Sequence, residues 1–317
     1  MNIQFATVQT PKEIRAVYQE TLNELIESNP SILVMDADLA GASGVANVFK
    51  NHPDRCINMG ISEANMVSAA AGMSLTGKIP FIHTFAPFAT RRVFDQLYMS
   101  GVYQRSNIKI YGSDPGFWAA HNGGTHTSME DLAMTRALPN ITLFAPSDST
   151  QFKWCMKEAA SIDGVVYIRA TRKVLPDIYD PSSEFETGKA IVVAPGSDVV
   201  IYAIGEMVGE ALNVRASLAT QGISVEVVDC FSVKPLDETL IRSEAVGKKL
   251  IVTAENHNKI NGLGCAVAHA LSEVGHLAKQ LTIAVDDRFG EVGTTDYLMD
   301  KFGLTSRQIE EKILTLY

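Results

Sequence analysis

The stretch SILVMDADLAGASG, residues 31–44, joins an apolar run to a loop of small and acidic residues. Residues 31–35 are almost wholly apolar, which is typical of a strand that is buried on both faces. Such strands occur in parallel sheets that are covered by helices, and the loop follows at the carboxyl end of the strand. The stretch therefore predicts an α/β protein.

The segments on both sides continue this alternation of helix and strand. Helical periodicity covers residues 11–28, and an Ala-rich helix is predicted over residues 62–76. Strands are predicted at residues 79–85 and 108–112, with a helix over residues 89–105 between them. We therefore expect a doubly wound, mostly parallel sheet.

The chain is long enough for two such domains. Residues 172–188 have neither helical nor strand periodicity and contain two prolines, which is typical of a linker. Helix and strand alternate again after this segment. The sequence predicts a first domain over residues 1–172, a linker over 173–188 and a second domain over 189–317, both domains being doubly wound α/β units with mostly parallel sheets.

The composition excludes several classes of function. The 317 residues carry a formal net charge of −9, and the basic residues form no run that would follow a nucleic-acid backbone. No apolar run approaches the about 20 residues that span a bilayer, and the first residues lack the pattern of a secretory signal. The four cysteines lie far apart, so we expect buried free thiols in a cytoplasmic protein with no membrane or nucleic-acid partner.

In open parallel sheets, ligands bind beyond the carboxyl ends of the strands. In the first domain those ends carry most of the unusual polar and aromatic residues, which are Asp36 to Ser43, Glu63, Phe85 to Phe88, Ser113 to His126 and Arg169 to Arg172. This convergence predicts a functional site at that edge of the sheet. The histidines and cysteines show no spacing that is typical of a metal site, so no metal ligand is expected.

Several of these residues allow two interpretations. Glu63, at the start of the Ala-rich helix, is either a surface acid that interacts with the helix dipole or a buried carboxyl that shares a proton with a ring nitrogen. Phe85 and Phe88 are either core residues or a platform for a ligand. His126 is either an acid, base or hydrogen-bond donor or a polar surface residue. Arg172 either binds an anion or forms a surface ion pair.

Three smaller patterns concern the loops. Gly123 and Gly124 predict a loop that adopts positive φ angles or approaches another segment closely. Ser128 and Asp131 resemble a capping box at the start of a helix. In the second domain, His257 is expected to have a capping or packing role.

Taken together, several motifs resemble the C-terminal half of transketolase. They are DADLAG, NMGISEANM, FIHTFAPFATR, GGTHTSMEDLAMTRALPNITLFAPSD and VYIRATR in the first domain, and VDCFSVKPLD and IVTAENHNKINGLGCAVAHAL in the second. Their order and spacing carry the resemblance from about residue 12 to the end of the sequence. It implies a pyrimidine-binding domain that is followed by a transketolase C-terminal domain.

The resemblance implies thiamine diphosphate as the cofactor. In the family, a glutamate at the position of Glu63 hydrogen-bonds a nitrogen of the aminopyrimidine ring and so activates the cofactor. An aromatic residue at the position of Phe88 packs on that ring, Phe85 supports it, and Asp38 lies among the cofactor-binding positions. His126 is implied as a catalytic residue that also contacts the hydroxyls of the sugar.

The resemblance also implies a partner. Whole transketolases carry a GDG motif followed by an asparagine, which binds magnesium and the diphosphate, and this sequence has no GDG. It is therefore similar to one subunit of a split transketolase, whose partner chain supplies the diphosphate-binding half and holds Mg²⁺ (or Ca²⁺). Because the site of the family lies between chains, the expected assembly is an α2β2 heterotetramer.

The substrate end of the site departs from the family. The implied substrate-binding residues are Arg15, Ser43, Asp114, Asn122, His126 and Arg172. Asp114 stands where the family has a phosphate-binding histidine, Ala42 where it has a phosphate-binding serine, and Asn122 where it has a sugar-binding aspartate. Since a carboxylate beside a phosphate dianion is unfavourable, we expect a different far end of the sugar, such as a sulfonate, a branched carbon skeleton or a hydroxyl.

The sequence thus predicts the transfer of a two-carbon ketol unit to an aldose from a ketose that is phosphorylated or otherwise modified, for example sulfonated or branched. Two alternatives remain open. One is a beta-type chain of a 2-oxo acid dehydrogenase, which shares the glutamate-bearing domain and the split organisation. The other is a non-catalytic regulatory partner of an intact transketolase.

Overall fold

The computed structural model describes residues 1–275 and 278–317. The chain folds into two compact units. Unit 1 comprises Met1–Pro115 and Met134–Phe185, and unit 2 comprises Gly116–Ala133 and Glu186–Tyr317. The segment 116–133 therefore leaves unit 1, folds with unit 2 and returns.

Unit 1 is built on a parallel sheet. Its strands are β1 (Ile32–Asp36), β2 (Cys56–Asn58), β3 (Ile79–Phe85), β4 (Lys109–Ser113), β5 (Thr142–Phe144) and β6 (Val166–Ala170). They lie in the order β5-β6-β4-β3-β1-β2, and each neighbouring pair is parallel. Asp36 at the end of β1 pairs with His83 of β3, and Phe85 at the end of β3 pairs with Ser113 of β4. The carboxyl ends of these strands therefore meet at one edge, as the sequence predicts.

Helices and short turns connect these strands. They are α1 (Ile14–Ser28), α2 (Ala40–Ser43), α3 (Ala46–Asn51), α4 (Glu63–Ser74), α5 (Ala86–Ala89), α6 (Phe94–Gln96), α7 (Asp131–Arg136), which begins in unit 2 and ends in unit 1, and α8 (Ser149–Ser161). Strands β4 and β6 are buried at every position, which is why their sequences show no alternation.

The single helix predicted over residues 89–105 is wrong. The chain instead forms α5, a 3₁₀ turn over Arg91–Val93, α6 and a π-helix over Leu97–Tyr103. Thr90, with φ −124° and ψ −85°, is outside the helical region and ends α5, and its hydroxyl donates a hydrogen bond to the Ala86 carbonyl. The segment is therefore a broken helix directly after the end of β3.

Unit 2 has its own sheet. The strands of unit 2 are β7 (Ile191–Ala194), β8 (Val199–Ala203), β9 (Val225–Asp229), β10 (Ser232–Lys234), β11 (Leu250–Asn258) and β12 (Gln280–Val285). Five of them form the order β12-β11-β8-β9-β7, which is parallel except for β7 against β9. The helices are α9 (Met207–Ala219), α10 (Glu238–Ala245), α11 (Leu263–Leu271), α12 (Thr295–Phe302) and α13 (Ser306–Leu316). Both units thus confirm the predicted α/β class with mostly parallel sheets.

Three local predictions can be compared with the fold. The capping box at Ser128 is wrong, because α7 begins at Asp131 and the buried Ser128 hydroxyl has no hydrogen-bond partner among the described residues. All four cysteines are free thiols, as predicted, but Cys265 is exposed and Cys56 is half-buried. Among the helices of the described residues, none is long and apolar enough to cross a membrane.

Candidate functional site

Glu63 is the first residue of α4, and its side chain is only 4% exposed. Its Oε1 accepts a hydrogen bond from Nη1 of Arg92 at 2.6 Å. An unpartnered buried carboxylate is costly, and this charge-assisted bond and the N-terminus of the helix offset part of the cost. The interpretation of Glu63 as a surface acid is therefore wrong. The edge of the sheet carries a buried carboxyl.

Phe85 and Phe88 form an aromatic pair beside this carboxyl. Their ring centroids lie 6.2 Å apart at an interplanar angle of 68°. Each ring carries an arginine on its face: the guanidinium carbon of Arg92 lies 3.6 Å from the centroid of Phe88, and that of Arg172 lies 4.8 Å from the centroid of Phe85. Phe85 is buried, whereas Phe88 is half-buried and presents part of its ring at the edge. The sequence analysis missed Arg92, although it follows Phe88 by four residues, a spacing at which helical side chains meet.

Asp114 forms an ion pair with Arg172. Its Oδ2 accepts from Nε of Arg172 at 2.5 Å, and its Oδ1 accepts from the backbone N–H of Arg172 at 2.8 Å and from the Thr171 hydroxyl at 3.2 Å. Nη1 of Arg172 donates to the carbonyl of Ala42 at 3.0 Å. Asp114 therefore offsets the charge of an arginine that was predicted to hold the anionic end of the substrate.

Arg15 lies next to this pair. The Arg15 backbone N–H donates to the carbonyl of Arg172 at 3.2 Å. A Cβ on Gly44 would lie 2.9 Å from the carbonyl oxygen of Arg15, so the loop after β1 passes close to this backbone. The Arg15 guanidinium is bound to Glu13, with Nε 2.7 Å from Oε2 and Nη2 3.2 Å from Oε1. The hydrogen bond from Arg15 is the main cause that lowers the pKa of Glu13. The structure thus brings Arg15, Arg172 and the loop that follows β1 together, and each of the two arginines is paired with an acid.

A fully buried chain of hydrogen bonds lies beneath this edge. His83 of β3 has its Nδ1 3.1 Å from Oδ2 of Asp36 and its Nε2 3.0 Å from Oγ of Ser113. The Ser43 hydroxyl donates to the same Asp36 oxygen at 3.3 Å, and the Leu39 backbone N–H donates to the other one. The order Ser, His, Asp is that of a hydrolase triad, but Asp36, His83 and Ser113 are all fully buried and inaccessible to a substrate. These hydrogen bonds instead connect the carboxyl ends of β1, β3 and β4.

Asp38 lies at the surface of the loop after β1. It has a φ of +63°, a left-handed conformation that aspartate tolerates. Nδ2 of Asn58 donates to its carboxylate at 3.0 Å, and the Asp38 backbone N–H donates to Oδ1 of Asn58 at 3.2 Å. Asn58 Oδ1 also accepts from the Gly60 N–H at 2.9 Å, so Asp38 is connected to the turn that precedes Glu63.

Asn122 and His126 belong to unit 2, whereas the other predicted site residues belong to unit 1. Asn122 is exposed, and half-buried His126 has its Nδ1 2.9 Å from Oγ1 of Thr125. Gly123 has a φ of +72°, and a Cβ on it would lie 2.7 Å from Cγ2 of Val292. A Cβ on Gly124 would lie 2.6 Å from the carbonyl oxygen of a facing glycine in the same unit. Both parts of the glycine prediction are therefore confirmed.

The predicted packing role of His257 is confirmed. His257 is fully buried in unit 2, its Nε2 accepts from the Ala133 N–H at 3.3 Å, and its Nδ1 donates to the Asn258 carbonyl at 2.7 Å. In residues 1–275 and 278–317, no group of three or more His, Cys, Asp or Glu side chains is placed to hold a metal ion.

The site geometry can be compared with known proteins. The family model described as transketolase, pyrimidine binding domain, matches residues 10–177, and the one described as transketolase, C-terminal domain, matches residues 188–309. The chain is 43% identical over 309 residues to a protein of Clostridium sp. (strain MSTE9) described as "6-deoxy-6-sulfo-D-fructose transketolase subunit SqwH", covering 98% of this chain and 96% of that one.

Two further relatives point the same way. The chain is 37% identical over 305 residues to a "putative transketolase C-terminal section" of Methanocaldococcus jannaschii, with 96% of both chains covered. A solved structure described as "Split gene transketolase, inactive beta4 tetramer" is similar with a TM-score of 0.88 and 41% identity, over 96% of this chain and 98% of that one.

Proposed function

The chain belongs to the transketolase family, and from that premise we propose that it is the pyrimidine-binding subunit of a split, thiamine diphosphate-dependent transketolase. The reaction would transfer a two-carbon ketol unit from a ketose to an aldose. The observation that carries this proposal is Glu63, a buried carboxyl at the start of a helix, beside the aromatic face of Phe88. We retain residues 1–172 as the pyrimidine-binding domain, 173–188 as the linker and 189–317 as the C-terminal domain.

The residues of unit 1 fit the aminopyrimidine ring of the cofactor. The ring is planar, and it requires a carboxyl partner for a ring nitrogen and a flat apolar surface. Glu63 and Phe88 offer both, and they already hold a planar N–H donor, the guanidinium of Arg92. When bound, thiamine diphosphate supplies the nucleophilic carbon that attacks the carbonyl of the ketose.

Each residue has a role in this proposal that follows from its position. Glu63, largely shielded from water, would hold a proton at the ring nitrogen. Phe88 would support the ring, with Phe85 packed against it edge to face. Asp38, in the loop after β1, would be a further cofactor-binding residue. His126, which is half-buried, would orient the hydroxyls of the sugar and exchange a proton with them.

The far end of the sugar would be bound by Arg15 and Arg172, with Ser43 as a polar neighbour in the same unit. Asn122, in unit 2, remains a proposed substrate-binding residue. Because Asp114 and Glu13 are bound directly to these two arginines, the net positive charge of this end is small. A phosphate dianion is then attracted less strongly than it would be by two unpaired arginines. We therefore propose a ketose whose terminal group carries at most one charge, such as a sulfonate, or one with a branched skeleton. The relative described as acting on 6-deoxy-6-sulfo-D-fructose supports this choice.

The proposal requires a second chain. A diphosphate-binding subunit would supply the Mg²⁺ and the pyrophosphate contacts, and an α2β2 heterotetramer is the assembly we propose, with a cytoplasmic location. The solved relative described as an inactive beta4 tetramer supports the need for a second kind of subunit.

The experiment reconstitutes this chain with a diphosphate-binding partner, thiamine diphosphate and Mg²⁺. Ketol transfer to an aldose is measured with ketose phosphates, their sulfonate and branched analogues, and unphosphorylated ketoses. We expect transfer from at least one donor, its loss in Glu63→Gln, and a higher kcat/KM for the sulfonate or branched donor than for the phosphates. Full activity of Glu63→Gln would favour a regulatory role, and oxidation of a 2-oxo acid with lipoamide would favour the dehydrogenase.

A further inference from the structure

We propose that the guanidinium of Arg92 occupies the place of the aminopyrimidine ring in this chain, so that Arg92 sets the affinity for the ring and must leave before it binds. This inference rests on the proposed function, because that function assigns Glu63 and Phe88 to the ring. Arg92 is then a residue that competes with the cofactor.

The first argument is that Arg92 makes the same two contacts, to Phe88 and to Glu63, that the ring would make. The guanidinium carbon lies over the Phe88 ring, 3.6 Å from its centroid, so the two groups are in van der Waals contact. The same guanidinium donates from Nη1 to Glu63 at 2.6 Å. It therefore covers the face of Phe88 that lies next to Glu63. A second planar group cannot stack on that face and bond to that oxygen while Arg92 is there.

The second argument is chemical similarity. A guanidinium is planar and delocalised, it stacks on aromatic rings, and it donates N–H bonds in its own plane to carboxylates. A protonated nitrogen of an aminopyrimidine ring also donates in the plane of the ring. The pair of Glu63 and Phe88 therefore selects for a planar donor, and Arg92 is such a donor within the same chain.

The third argument is that Arg92 can leave without unfolding the segment that carries it. Its side chain is 40% exposed, and it belongs to the 3₁₀ turn Arg91–Val93 of the broken helix. Val93 and Leu97 are fully buried and anchor the segment, whereas Arg92 extends from it on a flexible stem. A change of side-chain rotamer is enough to uncover the Phe88 face.

The competition has a measurable size. A partly exposed ion pair and a partly exposed cation–π contact are both weak, and their loss is partly offset by hydration of the released guanidinium. Removing Arg92 also leaves Glu63 buried without this donor in the free chain, which favours any ligand that supplies one. We expect removal of Arg92 to strengthen ring binding about tenfold, or about 1.4 kcal/mol.

The test uses 4-amino-5-hydroxymethyl-2-methylpyrimidine, which has the ring of the cofactor without its diphosphate. Its dissociation constant is measured by calorimetry for the full chain, Arg92→Ala and Arg92→Lys. Arg91→Ala is the matched control, because it removes the same charge from the neighbouring residue of the same turn. We expect about tenfold tighter binding for Arg92→Ala, a smaller gain for Arg92→Lys, which keeps the charge but not the plane, and a change below about twofold for Arg91→Ala.

A second measurement needs no variant with altered stability. The side-chain N–H signal of Arg92, identified by its loss in Arg92→Lys, should shift on addition of the pyrimidine to the wild-type chain, as the guanidinium moves into water. If the wild type binds the ring while its Arg92 signal is unchanged, or if Arg92→Ala binds no more tightly, the inference is wrong and the proposed function stands. If neither the wild type nor any variant binds the ring, the inference is wrong, and the proposed function is decided separately by the ketol-transfer assay with the partner chain.

Discussion

The ion pair between Asp114 and Arg172 predicts a large effect for Asp114→Asn. The substitution keeps the size of the side chain, and asparagine tolerates the φ of +52° at this position. Its Oδ1 can still accept from the backbone N–H of Arg172 and from the Thr171 hydroxyl, which lie 2.8 and 3.2 Å from the aspartate oxygen. The other oxygen becomes an amide NH₂, which faces the Nε–H donor of Arg172.

The expected cost follows from this geometry. One charge-assisted hydrogen bond is lost and two donors are opposed, in a place where Asp114 is 4% and Arg172 15% exposed. A hydrogen bond to a charged group contributes about 1.5–3 kcal/mol, so the free energy of unfolding should fall by about 2–3 kcal/mol. For a cooperative unit of this size, that is a fall in Tm of about 5–10 °C.

The assay is differential scanning calorimetry of the full chain, in which the transition of unit 1 is followed because two units need not unfold together. Asp38→Asn is the matched control: it also removes a carboxylate from a left-handed position, φ +63°, but an exposed one. We expect it to change Tm by less than about 2 °C. If Asp114→Asn also changes Tm by less than this, the ion pair does not stabilise the edge and the argument from charge compensation is wrong.

Three further predictions concern other positions. Asp114→His combined with Ala42→Ser should raise kcat/KM for ketose phosphates about tenfold or more, because a donor replaces an acceptor beside the phosphate, and unchanged donor preference would contradict the substrate proposal. Burial lowers the pKa of Lys109 to about 7. Above pH 7 the unfolded chain therefore binds one more proton than the folded chain, so the free energy of unfolding should rise between about pH 7 and 10, by at most about 1.4 kcal/mol per pH unit. Urea unfolding as a function of pH should show a flatter profile for Lys109→Met. Gly123→Ala should lower the free energy of unfolding by about 2–3 kcal/mol, because the residue has a positive φ and the new Cβ would lie 2.7 Å from a valine methyl. Gly77→Ala is the control, with φ +81° and nothing within 4 Å of the new Cβ, and it should cost about 1 kcal/mol in the same measurement.

The features that could be predicted from the sequence are those that local pattern controls. Strand β3 lies at residues 79–85, as its apolar run predicts, and β1 and β4 differ from their predicted bounds by one residue. Because parallel strands carry their carboxyl ends at one edge, these assignments also predicted that Asp36, Glu63 and Phe85 would lie near that edge. The resemblance to the family then implied chemical roles for these residues, whereas the pattern of helices and strands had predicted only their position.

The features that were missed depend on contacts between distant residues. The bond between Glu63 and Arg92 spans 29 positions, and the bond between Asp36 and His83 spans 47. Neither follows from periodicity, since His83 reads only as one polar residue in an apolar strand. Its partners become evident when β1, β3 and β4 are placed side by side in register. The break at Thr90 was missed because the residues on both sides of it are compatible with a helix.

The two arginines that cover the aromatic pair are held in different ways, and this difference assigns them different roles. Arg172 donates from Nε to Asp114 and from Nη1 to a backbone carbonyl, and Asp114 is itself fixed by the backbone of Arg172. Within the described residues, the side chain of Arg92 forms one hydrogen bond, to Glu63, and it is 40% exposed against 15% for the side chain of Arg172. Several mutually supporting bonds keep a side chain in place when a ligand arrives, whereas a single bond at an exposed group is readily exchanged. Arg172 therefore presents a fixed, partly neutralised charge to the substrate, and Arg92 is the group that a planar ligand can replace.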